Sequence, residues 1–360
     1  MRPVYYLGIF IPVAIAVELA HANPVIVFAA AALGVIPCAA VMGEATEAIA
    51  ARTGPGIGGL LNVTFGNAPE LIIAFFALLE GLQEVVKASL VGSIIGNVLL
   101  VMGAAMLVGG WSREKQTFSR TAANAQSAML LLALAALIAP ALFQLIHGGG
   151  LPKVGADEVD FGSDLEHLSL GVAIVLLVSY AAGLWFSLKT HRAVFNPYGQ
   201  EQEDDSHHWD VRRAGLYLAL SAVAVGVMSE ILVGSISEAS EDIGLSEFFV
   251  GVFVVAIVGN AAEHWVAVLV AAKDKMDLAV NIALGSSAQI ALFVAPVLVL
   301  LSFVFGDHPM ALVFNGYELG ALLFAVLIGN LVTQEGESNW FEGVQLLSLY
   351  AVLGLVFYYA

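Results

Sequence analysis

The chain has 360 residues, of which 59% are apolar and only 12% are charged, and its formal net charge is −17. A composition this apolar excludes an ordinary soluble domain, and the negative charge argues against nucleic acid as a partner because its phosphates would repel the chain. Cys38 is the only cysteine, so a disulfide within the chain is excluded.

Apolar stretches long enough to cross a bilayer as helices recur along the whole sequence. Turn-forming residues separate them, for example at His21-Ala22-Asn23-Pro24, at Gly54-Pro55-Gly56 and in the runs that begin at Gly148 and Asn196. The pattern predicts an all-α polytopic membrane protein of about eleven transmembrane helices, at residues 4–20, 24–50, 57–80, 85–109, 119–146, 166–188, 212–236, 246–272, 277–305, 312–334 and 338–359.

The basic residues predict the orientation of these helices. When the loops are assigned alternately to two sides, eleven of the 13 lysines and arginines fall on one side. This bias is typical of the cytoplasmic face, so we expect a cytoplasmic N-terminus and an external C-terminus. The compact chain without long tails favours the plasma (inner) membrane of a prokaryote.

A long internal repeat organises the chain. The run Gly66-Asn67-Ala68-Pro69-Glu70 returns as Gly259-Asn260-Ala261-Ala262-Glu263, and Gly92-Ser93 returns as Gly285-Ser286, both after 193 residues. The two glutamate motifs lie five predicted helices apart, so the copies cross the membrane in opposite directions, as in transporters built from inverted repeats. The predicted organisation is an extra N-terminal helix at 1–23, a first repeat at 24–190, a polar acidic cytoplasmic linker at 191–211 and a second repeat at 212–360.

Each copy places one glutamate, Glu70 or Glu263, inside an apolar helix. A charged carboxylate at the bilayer centre costs roughly 3 kcal/mol or more unless it is paired, and two facing carboxylates also repel each other. A divalent cation neutralises such a pair, and protons neutralise the same oxygens when the cation leaves. The pair therefore predicts a site at the membrane midplane for which a cation and protons compete.

Further oxygen ligands are expected around the two glutamates, because Ca²⁺ takes about 6–8 of them. Asn67 and Asn260 stand three residues before the glutamates, on the same helix face. Pro69 lacks an N–H, which would free the carbonyl of Phe65. The other candidates are the hydroxyls of Ser93 and Ser286, and the glycines Gly66 and Gly259, which with Pro69 are expected to break the helices locally.

Other polar residues in apolar helices are candidates for proton transfer. His264 follows Glu263 directly and would titrate near neutral pH, whereas Leu71 holds the matching place in the first copy. Glu44 and Glu230 form another matched pair near the ends of corresponding helices and would form a proton path to the centre. Gln289 adds a polar group on the helix that carries Ser286.

Several of these runs together resemble one known family. They are Gly66 to Glu70, Gly92 to Asn97, Gly259 to His264, Lys275 to Asp277, Gly285 to Ala291 and Gly336 to Trp340. Over nearly its whole length the chain resembles the calcium/proton exchanger (CAX) family of the cation/calcium exchanger superfamily. The resemblance implies two inverted five-helix halves plus one helix, Ca²⁺ bound at the two motif glutamates, and supporting roles for Asn67, Asn260, Ser93, Gln289, Glu44 and Glu230. Members often carry an acidic stretch where this chain has residues 201–205.

The sequence thus predicts a secondary active antiporter, not an enzyme, that exchanges Ca²⁺ or a related divalent ion such as Mn²⁺ for protons by alternating access. The expected partners are the divalent cation, protons and the lipid bilayer, with no cofactor, and the oligomeric state stays open. The alternatives are a sodium-coupled Na⁺/Ca²⁺ or Na⁺/H⁺ exchanger and a passive cation channel. An intramembrane enzyme is disfavoured because no His-Glu-x-x-His motif is present.

Overall fold

A computed structural model describes residues 3–155, 163–190, 209–306 and 308–360. The α-helices are α1 Phe10–Leu19, α2 Pro24–Gly66, α3 Ala68–Leu79, α4 Gln83–Ile95, α5 Met102–Gly110, α6 Arg120–Ile146, α7 Ser163–Trp185, α8 Val211–Gly234, α9 Ile236–Ile243, α10 Glu247–Phe249, α11 Ala256–Ala272, α12 Met276–Gln289, α13 Ala295–Ser302, α14 Gly316–Thr333 and α15 Trp340–Tyr358. Wider π-helical stretches adjoin some of them, at Gly96–Val101, Phe186–Thr190, Val250–Val255 and Ile290–Val294, and a 3-10 helix spans Pro3–Ile9.

The predicted all-α polytopic membrane fold is confirmed. Within the described ranges, nine helices are long and apolar enough to cross a membrane, and two shorter apolar helices lie at Val4–Leu19 and Ala68–Leu79. The count of eleven transmembrane helices and the division into repeats stay predictions. Of the predicted linker, residues 191–208 lie outside the described ranges, as does the acidic stretch 201–205, and α8 begins at Val211.

The predicted turn before α2 is present. The first apolar helix ends at Leu19, and His21 adopts a left-handed backbone with φ 49°. The side chain of Asn23 then accepts a hydrogen bond from the Val25 N–H and caps α2, whose first residue is Pro24. Proline fits this position because its missing N–H would have no partner within the helix.

The predicted turn at Gly54-Pro55-Gly56 is wrong, because α2 runs through it as one helix of 43 residues, roughly 65 Å long. A single proline removes one backbone hydrogen bond. The remaining helical bonds still favour a continuous helix over an open turn with unpaired backbone groups. The chain breaks instead at Asn67, the single residue between α2 and α3.

A non-helical buried segment precedes α14. The tenth apolar segment was expected to be helical from residue 312, but the helix begins at Gly316, and residues 310–314 are buried without regular structure. Side chains from three helices pair with the backbone of this segment, because buried peptide groups need partners. Ser302 Oγ accepts from Met310 N at 2.8 Å, Ser169 Oγ accepts from Leu312 N at 2.9 Å, and Lys87 Nζ donates to Val313 O at 3.1 Å.

Two features join the halves of the chain. Helix α2 packs along α8, its counterpart in the predicted second repeat, in the most extensive helix contact of the described part. At one end of the bundle, strands β1 (Gln116–Thr117) and β2 (Glu337–Ser338) pair antiparallel, with Gln116 opposite Ser338. The apolar interior between the helices forms one large cluster that includes Ile73, Ile95 and Phe253.

Candidate functional site

The two motif glutamates lie where α3 and α11 approach each other, and each packs against the glycine of the other copy. A Cβ built on Gly66 would lie 3.2 Å from Glu263 Oε1, and a Cβ built on Gly259 would lie 3.0 Å from Glu70 Cγ. A larger residue at either position would push against the carboxylate side chain. The repeat therefore brings both acids into one interior chamber.

The local backbone of the two copies differs. In the first copy the helix is interrupted at Asn67, and Pro69 occupies the second position of α3. In the second copy α11 continues through Gly259, so the helix break expected there is absent. Ala262 stands in the place of Pro69 and keeps its N–H, which allows the helical hydrogen bonds to continue. The role that the structure indicates for Gly259 is close approach to Glu70.

The carboxylates of Glu70 and Glu263 have few hydrogen-bond partners in the described part of the protein. Glu70 is 8% exposed, and both of its carboxylate oxygens are buried without a hydrogen bond from the described residues. The Oε2 of Glu263 is also buried without a hydrogen bond from the described residues. Glu47 of α2 lies near enough for its charge to repel that of Glu263. Two acidic groups with unpaired oxygens and a third negative charge nearby form an arrangement that positive charge or protons stabilise.

A chain of hydrogen bonds runs beside Glu263. His264 Nε2 pairs with Asn97 Oδ1 at 3.1 Å, and Asn97 Nδ2 donates to Ser286 Oγ at 3.1 Å. Ser286 Oγ donates to Asn67 Oδ1 at 2.9 Å, and Asn67 Nδ2 donates to Gln289 Oε1. Five polar side chains, four from three helical elements and Asn67 from the break between α2 and α3, are thus joined across the two predicted repeats.

A shorter pairing mirrors part of this chain on the other side of the site. Asn260 Nδ2 donates to Ser93 Oγ and to Ala256 O, both at 2.9 Å, while Asn260 Oδ1 is buried without a partner among the described residues. Each motif asparagine therefore pairs with the serine of the opposite copy. The cross-pairing links the two copies through their asparagines and serines, and the role of both asparagines as cation ligands stays a prediction.

The remaining candidate residues are Phe65, Glu44 and Glu230, and the structure places them in different surroundings. The carbonyl of Phe65, which cannot receive a bond from Pro69, accepts the Asn67 N–H. The side chain of Glu44 is half-buried, whereas that of Glu230 is exposed on α8. The proton path through Glu44 and Glu230 stays a prediction.

Sequence reasoning missed two residues, Asn97 and Glu47. Asn97 is 0% exposed and touches both His264 and Ser286, but Ile290 occupies the matching place in the second copy, so the repeat did not reveal it. The indication of Asn97 in the sequence was a single amide side chain within the apolar run that follows Ser93. Glu47 follows Glu44 by one helical turn, on the same face of α2.

On the side of Glu70 away from β1 and β2, the interior is tightly closed. A cavity of about 10 Å³, enough for about one water molecule, lies between Glu70, Ser89, Ser93 and apolar side chains that include Ile73 and Leu90. Toward the opposite side, Glu263 and His264 are only half-buried. Of the two glutamates, Glu263 thus lies on the less buried side of the site.

The polytopic fold and the paired interior carboxylates define the class of membrane ion transporters. The chain matches the model of the family described as sodium/calcium exchanger protein over residues 23–189 and 214–359. It is 42% identical over 367 residues to the "Ca(2+)/H(+) antiporter" of Aphanothece halophytica, covering 98% of this chain and 95% of that one. It is also 42% identical over 351 residues to the "Ca(2+)/H(+) antiporter ChaA" of Bacillus subtilis, covering 97% and 96% of the two chains.

Solved structures agree with the sequence comparison. The structure of native YfkE superposes with a TM-score of 0.82 at 39% identity, covering 99% of this chain and all of that one. The crystal structure of the H⁺/Ca²⁺ exchanger CAX shares the fold, with a TM-score of 0.70 at 11% identity over 98% of this chain and 91% of that one. The chain belongs to the sodium/calcium exchanger family, and the predicted resemblance is confirmed.

Proposed function

We propose that this protein exchanges Ca²⁺ for protons at the Glu70–Glu263 site by alternating access. The observation that carries the proposal is the pair of buried carboxylates, one from each copy of the motif, held against each other's glycines with unpaired oxygens. The names of relatives that are 42% identical over nearly the whole chain support Ca²⁺ and protons as the exchanged ions.

The oxygen atoms around the glutamates suit Ca²⁺. This ion prefers carboxylate and carbonyl oxygens at flexible geometry, and the two carboxylates are accompanied by the amide oxygens of Asn67 and Asn260. The free Asn260 Oδ1 needs no hydrogen bond to be broken before it binds a cation. A related divalent ion such as Mn²⁺ would use the same donors, so the donor set supports a divalent cation and leaves the choice among them to cavity size.

Protons neutralise the negative charge of the two carboxylates when the cation has left the site. Two buried carboxylates close together cannot both stay ionised without a counter-charge, because desolvation and mutual repulsion favour the neutral acids. In the proposed cycle Ca²⁺ enters from the cytoplasm to the deprotonated pair, the halves of the protein move, and the ion leaves on the outer side. Protons then occupy the same oxygens and reset the site.

The hydrogen-bond chain from His264 to Gln289 fixes the orientation of the polar side chains beside this pair. A neutral imidazole can donate or accept at Nε2, and its partner Asn97 connects it to Ser286 and Asn67. We propose that His264 takes part in proton coupling from the end of this chain. The plasma membrane, with the less buried side of the site toward the cytoplasm, is the proposed location.

The test is Ca²⁺ uptake into everted membrane vesicles with an imposed pH gradient. We expect uptake driven by an acidic interior, its loss by at least a hundredfold in Glu70→Gln, and its retention in Glu80→Gln, which changes an exposed glutamate at the end of the same helix. Uptake that follows a Na⁺ gradient but not the pH gradient would make the protein sodium-coupled. Ca²⁺ movement without any counter-ion would indicate a channel, and full activity of Glu70→Gln would refute the site.

A further inference from the structure

A row of polar groups leads along one face of α12 from the end of the bundle that carries β1 and β2 to the proposed site. Asp277, Asn281, Gly285 and Gln289 follow at intervals of four residues, so they lie one above the other over roughly 18 Å. Asp277 Oδ1 accepts the N–H of Ser119 at the start of α6. The far end of the row, Gln289, bonds to Asn67 in the site.

A glutamine of α6 completes the middle of this row. Gln126 Nε2 donates to Asn281 Oδ1 at 2.9 Å, and the same nitrogen would lie 3.4 Å from a Cβ built on Gly285. Gln126 Oε1 is buried and has no hydrogen-bond partner among the described residues. One amide oxygen is therefore available about halfway between the rim and the site.

The exposure of α12 distinguishes this face from the rest of the helix. Asp277, Asn281, Gly285 and Gln289 are all half-buried. On one side of the row the helix surface is closed, with Val280, Leu284 and Ser287 at 2%, 1% and 0% exposure. The polar row, together with the adjoining Leu278 and Ile282, thus lies on the more accessible side of the helix.

The chemistry of these polar groups determines whether water or lipid lies beside them. An amide oxygen without a partner, such as Gln126 Oε1, costs several kcal/mol in hydrocarbon, whereas water satisfies it and also hydrates a cation. The row also ends at Gln289, which is bonded to Asn67 of the site. These features favour water over lipid along the row.

We propose that this face of α12, with Gln126 and Asn281, lines the aqueous path by which the hydrated cation moves between the cytoplasm and the Glu70–Glu263 site. The proposal rests on the proposed function for the identity of the ion. Gln126 Oε1 would replace one water of the cation partway along, and Gly285 leaves room beneath it. Beyond Asp277 at the rim, the row holds only amide side chains and a glycine, which bind a cation less tightly than a carboxylate does and let it pass.

The single cysteine makes the path directly testable. In a Cys38→Ala background, the variants Asn281→Cys and Leu284→Cys place one thiol on the open face and one on the closed face of the same helix. A membrane-impermeant, charged methanethiosulfonate reagent is applied to everted and to right-side-out vesicles. The two preparations expose the cytoplasmic and the outer face to the reagent, respectively.

We expect Asn281→Cys to react at least tenfold faster in everted than in right-side-out vesicles, and Leu284→Cys to stay unreacted in both. The attached charged group should then lower Ca²⁺ uptake at least tenfold in Asn281→Cys. An unreactive residue 281, a reaction only from the outer face, or reaction without loss of uptake would overturn the path. The sidedness of labelling needs no transport, so it tests the path even if proton-driven uptake, and with it the proposed function, fails.

Discussion

At the scale of single residues, the positions where the two copies differ are as informative as those where they agree. His264, Asn97 and Gln289 have Leu71, Ile290 and Gly96 as their repeat partners. In the structure all three belong to one hydrogen-bond chain, with Ser286 and Asn67 between them. The polar exceptions to the repeat are therefore concentrated on one side of the site, next to Glu263.

Replacing Asn97 by the residue of the other copy tests this chain. In Asn97→Ile, His264 Nε2 and Ser286 Oγ each lose a buried partner, which costs about 1–3 kcal/mol per group. We expect proton-driven Ca²⁺ uptake in everted vesicles to fall tenfold or more and its pH profile to shift. The control Asn124→Ile removes an exposed amide of α6 and should leave both unchanged. Uptake within twofold of the unaltered protein at every pH would contradict the role of Asn97.

At the scale of helices, a few glycines allow the backbones of neighbouring helices to approach each other closely. A Cβ on Gly92 of α4 would overlap the Val252 carbonyl and lie 2.8 Å from the Ala256 Cβ. Without a hydrophobic force between helices in lipid, such small residues allow the backbone contacts that hold helices together. Gly92 thereby joins the serine helix of the first copy to the segment that leads into α11.

The pair Gly92→Ala and Gly96→Ala separates packing from helix propensity. The first variant overpacks a backbone contact and should lose roughly 3 kcal/mol or more. The second adds a methyl group where nothing lies within 4 Å, and should be neutral or stabilising by about 1 kcal/mol. Thermal unfolding of the purified proteins in detergent measures both. Equal melting temperatures for the two variants would show that the contact at Gly92 contributes little.

At the scale of the whole molecule, a cluster of loop residues ties several helix ends together. The guanidinium of Arg113 donates to Gly109 O and to Ala272 O, and it pairs with Asp274 at 3.4 Å. Gln116 donates to Ala271 O at 3.1 Å and to Asp274 Oδ1 at 2.9 Å. The cluster satisfies carbonyls at the C-termini of α5 and α11 together, which fixes the end of the helix that carries Glu263.

Removing Arg113 should loosen this end of the bundle. Arg113→Ala leaves terminal carbonyls of two helices without their donor, and we expect a loss of about 1–2 kcal/mol in the free energy of unfolding. Lys115→Ala removes only the ion pair with Glu337, whose side chains are 57% and 48% exposed, so its effect should stay below about 0.5 kcal/mol. Denaturation in detergent compares the two, and a larger effect of Lys115→Ala would contradict this interpretation.

Much of the architecture could be read from the sequence for simple reasons. Long apolar stretches can cross a bilayer only as helices or closed barrels, so composition alone indicated the all-α membrane class. The 193-residue repeat of the glutamate motif pointed to Glu70 and Glu263 as partners. Family membership followed from the same motifs, because they are both long and specific.

Other features depended on contacts between distant parts of the chain. The continuity of α2 through Gly54-Pro55-Gly56, the absence of a break at Gly259, and the positions of Asn97 and Glu47 beside the site could not be read from local sequence. Local residue preferences differ by about a kilocalorie or a few, whereas the cost of an unpaired buried group or a backbone overlap is as large or larger. Where those costs compete, the neighbours that only the folded molecule supplies determine the outcome.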